Sequence, residues 1–196
     1  MNSKPGTWHD GWWSEARHTP SPNHRPRPTD ATVDLAILHS ISLPPGEYGG
    51  DAVERLFTNT LDFDAHPYYD QLRDLKVSAH FLVRRDGTVL QFVSIHDRAA
   101  HAGVSTWEGR EGCNDFSVGI ELEGLEGLPF EPAQYDTLRV LLPALRTQLP
   151  LRQVVGHEHV APGRKRDPGE AFDWPALASS LAWGRGAVPP ADPHGA

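Results

Sequence analysis

The alternation of apolar and polar residues first predicts a set of strands. A continuous apolar run over 33–39 is typical of a buried strand. Residues 116–122 alternate strictly, which places one apolar face against a core. Two further runs of β type, 77–83 and 88–93, are separated by a turn that contains Asp-Gly, and this favours a hairpin. A short apolar run over 151–155 predicts one more strand.

Helical spacing of apolar residues predicts four helices between and after these strands: 51–58, 67–75, 131–149 and 174–183. The longest of them, 131–149, contains Pro143, which removes one backbone hydrogen bond and is expected to kink the helix. Strands of mixed direction with helices packed on their faces indicate an α/β protein, a single domain with a mixed central β-sheet flanked by helices.

The two ends of the chain differ from its middle. Residues 20–28 are rich in proline and arginine, so we expect 1–30 to form an extended arm that lies over the domain. The tail, 184–196, has no periodic apolar pattern and is expected to be disordered. The domain itself is therefore predicted at 31–183.

Composition narrows the classes of protein to consider. The 196 residues suffice for one domain, and a formal net charge of −8 argues against a nucleic-acid partner, which would need a basic face. The only cysteine, Cys113, cannot form an intramolecular disulfide. Residues 1–18 lack the apolar core of a signal peptide, and no apolar run reaches membrane-spanning length. We expect a cytoplasmic monomer with no nucleic-acid or membrane partner.

The segment 156–169, GHEHVAPGRKRDPG, carries the strongest candidate chemistry and is too rich in turn residues to predict a helix or strand. His157 and Asp167 offer a nitrogen and an oxygen of the kind that Zn²⁺ binds, and three such ligands with one open position form a catalytic site. His39, at the end of a predicted buried strand, is the candidate third ligand. Substitute ligands remain open, and each of them has a plain alternative as a surface or core residue: His80, His101, Glu158 and His159. His159 has a further alternative, which is to orient a ligand.

Glu121 and Lys165 are candidates for catalysis. Glu121 lies on the polar face of 116–122 between small neighbours, which leave room for a ligand; it either takes a proton from an attacking water or merely faces solvent. Lys165 lies two residues before Asp167, so in an extended loop both side chains point the same way. Its ammonium either stabilises an oxyanion or belongs to a solvated basic turn.

Six segments then carry a family resemblance, in this order: PSPNH (20–24), AILHSISLPPGEYGG (36–50), VSAHFLVRRDG (77–87), HAGVS (101–105), CNDFSVGIELEG (113–124) and the segment 156–169. They extend over nearly the whole predicted domain. The chain resembles the zinc N-acetylmuramoyl-L-alanine amidases, and within them the cytosolic 1,6-anhydro-N-acetylmuramyl-L-alanine amidases of the AmpD type. Several long motifs in the correct order make the resemblance specific.

The resemblance implies one Zn²⁺ per chain held by His39, His157 and Asp167, with Glu121 as general base and Lys165 stabilising the oxyanion. It also implies a fold shared with peptidoglycan recognition proteins. The implied reaction hydrolyses the amide between the lactyl group of anhydro-muramic acid and L-alanine of the stem peptide. The implied substrate is a soluble muropeptide, met in the cytoplasm during recycling of wall fragments.

The chain departs from the family pattern at three positions. Asn commonly follows the first metal histidine, where this chain has Ser40, and Arg commonly occupies the positions of Lys76 and Gly112. Such positions are linked to sugar and peptide contacts, so Ser40, Lys76 and Arg110 are the candidate substrate-binding residues. Lys76 and Arg110 are the cations available to bind peptide carboxylates, although lysine offers a point charge instead of a bidentate fork.

Two alternatives to an enzyme follow from the same resemblance. A peptidoglycan-fragment binding module of the same fold would be expected to lack a metal ligand, whereas all three candidates are present. A scaffold-bound regulator would need a basic or apolar docking patch, which the acidic composition does not favour. An amidase is therefore the preferred interpretation.

Overall fold

The structure, a computed structural model, describes residues 6–181, 183–184 and 186–189. The strands in these ranges are β1 Trp8–His9, β2 Trp12–Trp13, β3 Arg17–His18, β4 His24–Pro26, β5 Leu35–Ile41, β6 Phe81–Val83, β7 Val89–Gln91, β8 Asp97–Ala99, β9 Thr106–Trp107, β10 Arg110–Glu111, β11 Ser117–Glu123 and β12 Gln153–Gly156. The α-helices are α1 Ala52–Phe57, α2 Pro132–Arg146, α3 His157–Val160 and α4 Trp174–Leu181, and 3₁₀ turns cover Pro67–Leu72 and Cys113–Asp115.

One six-stranded sheet organises the domain, in the order β12-β5-β11-β6-β7-β3. The strands β12, β5, β11 and β6 run parallel, whereas β7 pairs with β6 antiparallel across the predicted hairpin. The central strand β11 is buried along all 7 of its residues because helices and loops cover both faces of the sheet. The predicted fold class, a mixed central sheet flanked by helices, is confirmed.

Helices α2 and α4 cover one face of the sheet. Their buried leucines pack against the apolar side chains of β5 and β11 that point the same way: Ala36, Leu38, Val118, Ile120 and Leu122. Gln134 joins α2 to the sheet, because its buried amide donates to the carbonyls of Val83 and Glu123 at 3.2 and 3.1 Å. Its Oε1 accepts from the N–H of Glu131 at 3.0 Å and so caps the start of the helix.

The opposite face of the sheet holds the polar residues of interest. Leu35 and Ile37 pack there against Val155 and Phe116, beneath the ends of the strands. Helix α1 and the first 3₁₀ turn enclose a second apolar cluster beside β6 and β7. None of the helices in the described ranges has the length and apolar character needed to cross a membrane.

The predicted arm contacts the domain at several points among the described residues. Strand β3 forms the edge of the main sheet next to β7. Trp13 is buried, and its backbone N–H donates to Oε1 of Gln91 at 2.8 Å. The guanidinium of Arg27 donates to the carbonyls of Asn114, Asp115 and Ser117, the last at 2.9 Å. In the predicted tail, the carbonyl of Ala187 accepts from the N–H of Val154 at 2.7 Å. Residues 1–5, 182, 185 and 190–196 lie outside the described residues.

The prediction that 156–169 contains no helix is wrong. Helix α3 begins immediately after β12, at His157. Gly156 is extended, and its N–H donates to Nδ1 of His159 at 2.9 Å, so a side chain within the first turn satisfies the backbone where strand becomes helix. Periodicity could not reveal so short a helix, because it amounts to a single turn.

Candidate active site

Three neighbouring parallel strands bring the candidate site residues to one level of the sheet. Glu121 on β11 is the register partner of His39 on β5. On the other side of β5, Gly156 pairs with Leu38, so that His157 follows at the level of His39. All three lie at the carboxyl ends of their strands, the edge at which open parallel sheets form binding sites.

His39, His157 and Asp167 form a compact triad of ligand atoms. Nδ1 of His39 lies 3.0 Å from Nδ1 of His157, and each nitrogen is 3.1 Å from Oδ2 of Asp167. Both histidines are buried, at 2% and 3% exposure. Two imidazole nitrogens and one carboxylate oxygen at this spacing are able to hold a metal ion.

The hydrogen bonds around the triad test whether a metal fits. Nε2 of His157 is 3.1 Å from the carbonyl oxygen of Ala102, which can only accept, so Nε2 carries the proton of the neutral ring. The lone pair of Nδ1 then points at Oδ2 of Asp167, and two electron-pair donors in contact repel each other. A cation between them removes this repulsion, and the donor set suits Zn²⁺.

A proton is the other cation that could occupy the triad. Hydrogen bonds from His157 and His39 would then hold the pKa of the Asp167 carboxyl below its usual range, although burial raises it. Burial, however, lowers the pKa of His39 to about 4, against the opposing effect of Asp167. Near neutral pH the imidazole of His39 is therefore unprotonated, which leaves the site suited to a metal ion.

Glu121 faces the triad from a buried position. It is 8% exposed, and its Oε2 has no hydrogen-bond partner within the described part of the chain. Burial raises the pKa of its carboxyl well above the usual range; the charge of Asp167 raises it further, and Lys165 opposes both. A carboxyl with a perturbed pKa and a free oxygen is suited to proton transfer.

The space expected above the small neighbours of Glu121 on β11 is occupied by His101. An added Cβ at Gly119 would lie 2.4 Å from Cγ of His101, so the imidazole fills the space that the small residues of β11 leave. This part of the face is covered because the chain after β8 returns across it, whereas Glu121 itself lines a cavity. His101 was predicted only as a substitute ligand, and its place against Gly119 was missed.

Lys165 lies on the exposed side of the site. Its backbone N–H donates to the carbonyl of Ala161 at 3.0 Å, in the turn that follows α3. Its charge reaches the site, since it lowers the pKa values of both Glu121 and His39. Lys165 and Asp167 line the same cavity, which agrees with the prediction that they point to the same side.

A cavity of about 970 Å³ opens over these residues. Its lining includes the polar groups of the triad, Glu121 and Lys165. It also includes apolar side chains of the cluster beside β6 and β7: Leu43, Leu56, Phe57, Leu72 and Val77. The cavity therefore combines a candidate metal site with an apolar wall.

The three predicted substrate-binding residues differ in position. Ser40 lines the cavity next to His39. Lys76 is exposed between Leu75 and Val77, which line the cavity, but is itself outside the lining. Arg110 lies elsewhere: its guanidinium is 3.0 Å from Asp34 and 4.0 Å above the ring of Phe116. The structure thus brings Ser40 to the cavity and does not bring Arg110 there.

The remaining substitute ligands have other partners. His80 is a core residue, since its Nδ1 accepts from the N–H of Gly119 at 3.0 Å and burial lowers its pKa to about 3. His159 caps Gly156. Glu158 lines the cavity, and burial, followed by the charges of Asp167 and Glu126, raises its pKa to about 7.

A sequence model of the N-acetylmuramoyl-L-alanine amidases matches residues 29–170, a span that contains the triad and the whole cavity lining. The chain belongs to the N-acetylmuramoyl-L-alanine amidase family. The 1,6-anhydro-N-acetylmuramyl-L-alanine amidase AmpD of Escherichia coli (strain K12) is 51% identical to this amidase over 166 residues, which cover 84% of the chain and 91% of the relative.

Solved structures agree with this membership. The crystal structure of a selenomethionine derivative of AmpD is similar to this amidase with a TM-score of 0.87 and 48% identity, over 89% of the chain and 99% of that structure. AmiD from E. coli, solved with the substrate anhydro-N-acetylmuramic acid-L-Ala-D-γ-Glu-L-Lys, has a TM-score of 0.56 at 28% identity, over 91% of the chain and 66% of AmiD. The predictions of an amidase and of its family are confirmed.

Proposed function

We propose that this amidase uses one zinc ion to hydrolyse the amide between the lactyl group of 1,6-anhydro-N-acetylmuramic acid and L-alanine of a soluble stem peptide. The observation that carries the proposal is the convergence of three donors, on His39, His157 and Asp167, beside Oε2 of Glu121, which has no hydrogen-bond partner among the described residues. The names of the relatives support the choice of bond, since AmpD is an amidase of this substrate class and AmiD was solved with such a substrate.

The residues of the triad would hold the metal, which when bound polarises the scissile carbonyl and acidifies water. The protein fixes the donors before the metal arrives, because both histidines are buried and Asp167 is held by the turn after α3. The N–H of Glu158 donates to the carbonyl of Asp167 at 3.0 Å, which ties that turn back to α3. Pre-positioned ligands of this kind limit the reorganisation that binding requires.

Glu121 moves the proton in the proposed reaction. Its Oε2 accepts a proton from the water that attacks the carbonyl carbon, and the same carboxyl then gives that proton to the departing nitrogen of L-alanine. The carbon–nitrogen bond breaks, which leaves a carboxyl group on the lactyl group and a free amino group on the peptide. The carboxyl group then loses its proton, and the amino group takes up one, so the products are a carboxylate and an ammonium. A raised pKa suits the first step, because a more basic carboxylate accepts a proton more readily.

Lys165 supplies positive charge where the carbonyl oxygen becomes negative. It is exposed to the cavity and is not needed to fill the core, so its ammonium can turn toward the reacting carbonyl. An ammonium next to a developing oxyanion stabilises the transition state more than the substrate.

The apolar part of the cavity lining supports a preference for an anhydro sugar. An internal 1,6-anhydro bridge removes two hydroxyl groups from the muramic acid ring and leaves a less polar surface. That surface matches the wall formed by the apolar residues of the cavity. Such a sugar occurs on released fragments, and we place the enzyme in the cytoplasm, as a monomer that acts on fragments recovered from the wall.

Metal analysis combined with product identification tests the proposal. The purified protein is expected to contain about one zinc per chain and to release the intact tripeptide from anhydro-muramyl tripeptide, as seen by mass spectrometry. Treatment with a chelator should abolish release, and added zinc should restore it. Binding of the muropeptide without cleavage, by protein that holds zinc, would favour the non-catalytic binding module.

A further inference from the structure

Two adjacent residues, His101 and Ala102, contact the two histidines of the triad from behind. Nδ1 of His101 lies 2.9 Å from Nε2 of His39, and the carbonyl of Ala102 lies 3.1 Å from Nε2 of His157. We propose that His101 is a positioning residue that fixes the tautomer and orientation of His39 and thereby presents its Nδ1 to the metal. This inference rests on the proposed metal site and assigns one further residue to it.

The donor and acceptor of each hydrogen bond can be assigned in order, starting from Ser117, which contacts His101 on the side away from His39. Oγ of Ser117 lies 2.6 Å from the carbonyl of Cys113, which can only accept, so the hydroxyl proton of Ser117 is used there. Toward His101, at 3.3 Å, the serine oxygen must accept, and Nε2 of His101 carries the proton. In a neutral ring Nδ1 of His101 then has a lone pair.

That lone pair decides the state of His39. Nδ1 of His101 can only accept from Nε2 of His39, so the proton of His39 lies on Nε2. Nδ1 of His39 is left bare, and it is the atom that faces His157 and Asp167. Reversing the tautomer of His101 would place a proton on Nδ1 of His39, directly between the ligand atoms, where it would exclude a metal.

The backbone fixes His101 and Ala102 as a rigid pair. Oδ1 of the buried Asn114 accepts from the N–H groups of both residues, at 3.0 and 2.8 Å. The carbonyl of Ala102 also accepts from Arg164 at 2.8 Å, which joins the pair to the turn that carries Asp167. On the sheet side, only a glycine at 119 leaves room for the imidazole, as the 2.4 Å approach of an added Cβ shows.

Three variants separate tautomer control from simple packing. His101→Leu keeps the approximate bulk of the side chain but is apolar, so Nε2 of His39 is left without an acceptor. His101→Asn retains an acceptor oxygen near the position of Nδ1, and Ser117→Ala keeps the imidazole but removes the acceptor that fixes its tautomer. Zinc affinity is measured on apo-protein by competition with a chelator, and thermal unfolding of each apo-protein reports folding.

We expect His101→Leu to weaken zinc binding by about 10–100-fold, the usual effect of losing a partner that orients a metal ligand. His101→Asn should recover most of this loss, and Ser117→Ala should weaken binding in the same direction by a smaller factor. In the wild-type zinc protein, ¹⁵N spectra of the imidazoles should show His39 protonated at Nε2 and metal-bound through Nδ1. These spectra are recorded on the wild type, so they test the tautomer of His39 even if a variant does not fold.

The outcomes distinguish this inference from the proposed function. Wild-type zinc affinity in folded His101→Leu, or zinc on Nε2 of His39, would overturn the positioning role while the metal site stands. A lower affinity that His101→Asn does not recover would also count against tautomer control and favour packing alone. Wild-type protein that binds no zinc at all would overturn both the inference and the proposed function.

Discussion

Glu121 and His39 are register partners on the adjacent parallel strands β11 and β5, and their side chains project from the same face of the sheet. A proposed proton carrier and a proposed metal ligand are thus neighbours through backbone pairing alone. Sheet pairing is stiffer than a loop, so the distance between the two groups does not depend on loop closure. His157 and Asp167 then reach the same point from the segment after β12.

The proposed ligand set predicts how metal content responds to substitution. His39→Ala, His157→Ala and Asp167→Ala should each lose zinc and activity together, because a site with two remaining ligands binds zinc weakly. Metal analysis after purification under limiting zinc checks this, with His24→Ala as a control at an exposed histidine on β4. A full equivalent of zinc on His39→Ala would instead make His101, its hydrogen-bonded neighbour, the candidate ligand.

The proposed catalytic residues predict a different pattern. Glu121→Gln and Lys165→Ala should retain zinc and fold but lower kcat by on the order of 10²–10⁴, which is the usual contribution of a general base or an oxyanion stabiliser. Steady-state kinetics on an anhydro-muramyl peptide, with metal content measured on the same samples, checks both variants. Arg152→Ala, at an exposed cation outside the cavity lining, is the control and should keep its turnover rate. Unchanged turnover in Lys165→Ala would leave that lysine as part of a solvated turn.

Much of this arrangement could be predicted from the sequence, and the limit lies at contacts between distant segments. The apolar run before His39 and the alternation around Glu121 indicated two strands, because side-chain period is a local property. The pairing of those strands and the position of His101 against Gly119 depend on how the chain returns after β8, which no local pattern encodes. The resemblance to a family supplied the ligand set that periodicity alone left open.

Arg110 is a second residue whose contacts with distant segments could not be predicted from the sequence. Its charge made it a candidate for binding peptide carboxylates, yet a carboxylate of the chain itself, Asp34, lies 3.0 Å away. The ring of Phe116 lies beneath its guanidinium and completes its surroundings. A sequence shows which residues are charged, but it does not show which of those charges are already paired within the fold.

His80 predicts the pH dependence of stability. Burial, with a contribution from Arg27, lowers the pKa of His80 from 6.5 to about 3 in the folded protein. In the unfolded chain His80 is protonated as the pH falls below about 6.5, whereas in the folded protein it stays neutral until about pH 3. The contribution of His80 to the free energy of unfolding is therefore complete above pH 6.5 and is lost as the pH falls toward 3. The loss of unfolding free energy amounts to on the order of 5 kcal/mol when complete.

Urea denaturation between pH 7 and 5 checks this effect before the carboxyl groups protonate. The free energy of unfolding of the wild type should decrease more steeply toward acid than that of His80→Asn, by up to about 1.4 kcal/mol per pH unit, which corresponds to one proton. Parallel slopes for wild type and His80→Asn would mean that folding does not lower the pKa of His80.

The positions of Ser40 and Arg110 predict which residue sets substrate affinity. Ser40 lines the cavity, so Ser40→Ala should raise KM for an anhydro-muramyl peptide several-fold with little change in kcat, the pattern of a lost binding contact. Arg110→Ala should leave KM unchanged, because its guanidinium is engaged with Asp34 outside the cavity. Lys76→Ala is expected to raise KM by a factor between those of the other two variants, because Leu75 and Val77 line the cavity while the side chain of Lys76 is exposed beside it.

The size and lining of the cavity predict the form of substrate that the enzyme prefers. At about 970 Å³, with one apolar wall, it suits a compact sugar-peptide better than a strand of polymer. We expect kcat/KM for anhydro-muramyl tripeptide to exceed kcat/KM for insoluble peptidoglycan, expressed per accessible stem peptide, by at least about 100-fold. This factor corresponds to roughly 2.7 kcal/mol of transition-state stabilisation. The same comparison with the non-anhydro muramyl tripeptide, a soluble control, separates the effect of the sugar from that of solubility. Comparable rates on polymer and fragment would remove the recycling role and leave a zinc amidase of the intact wall.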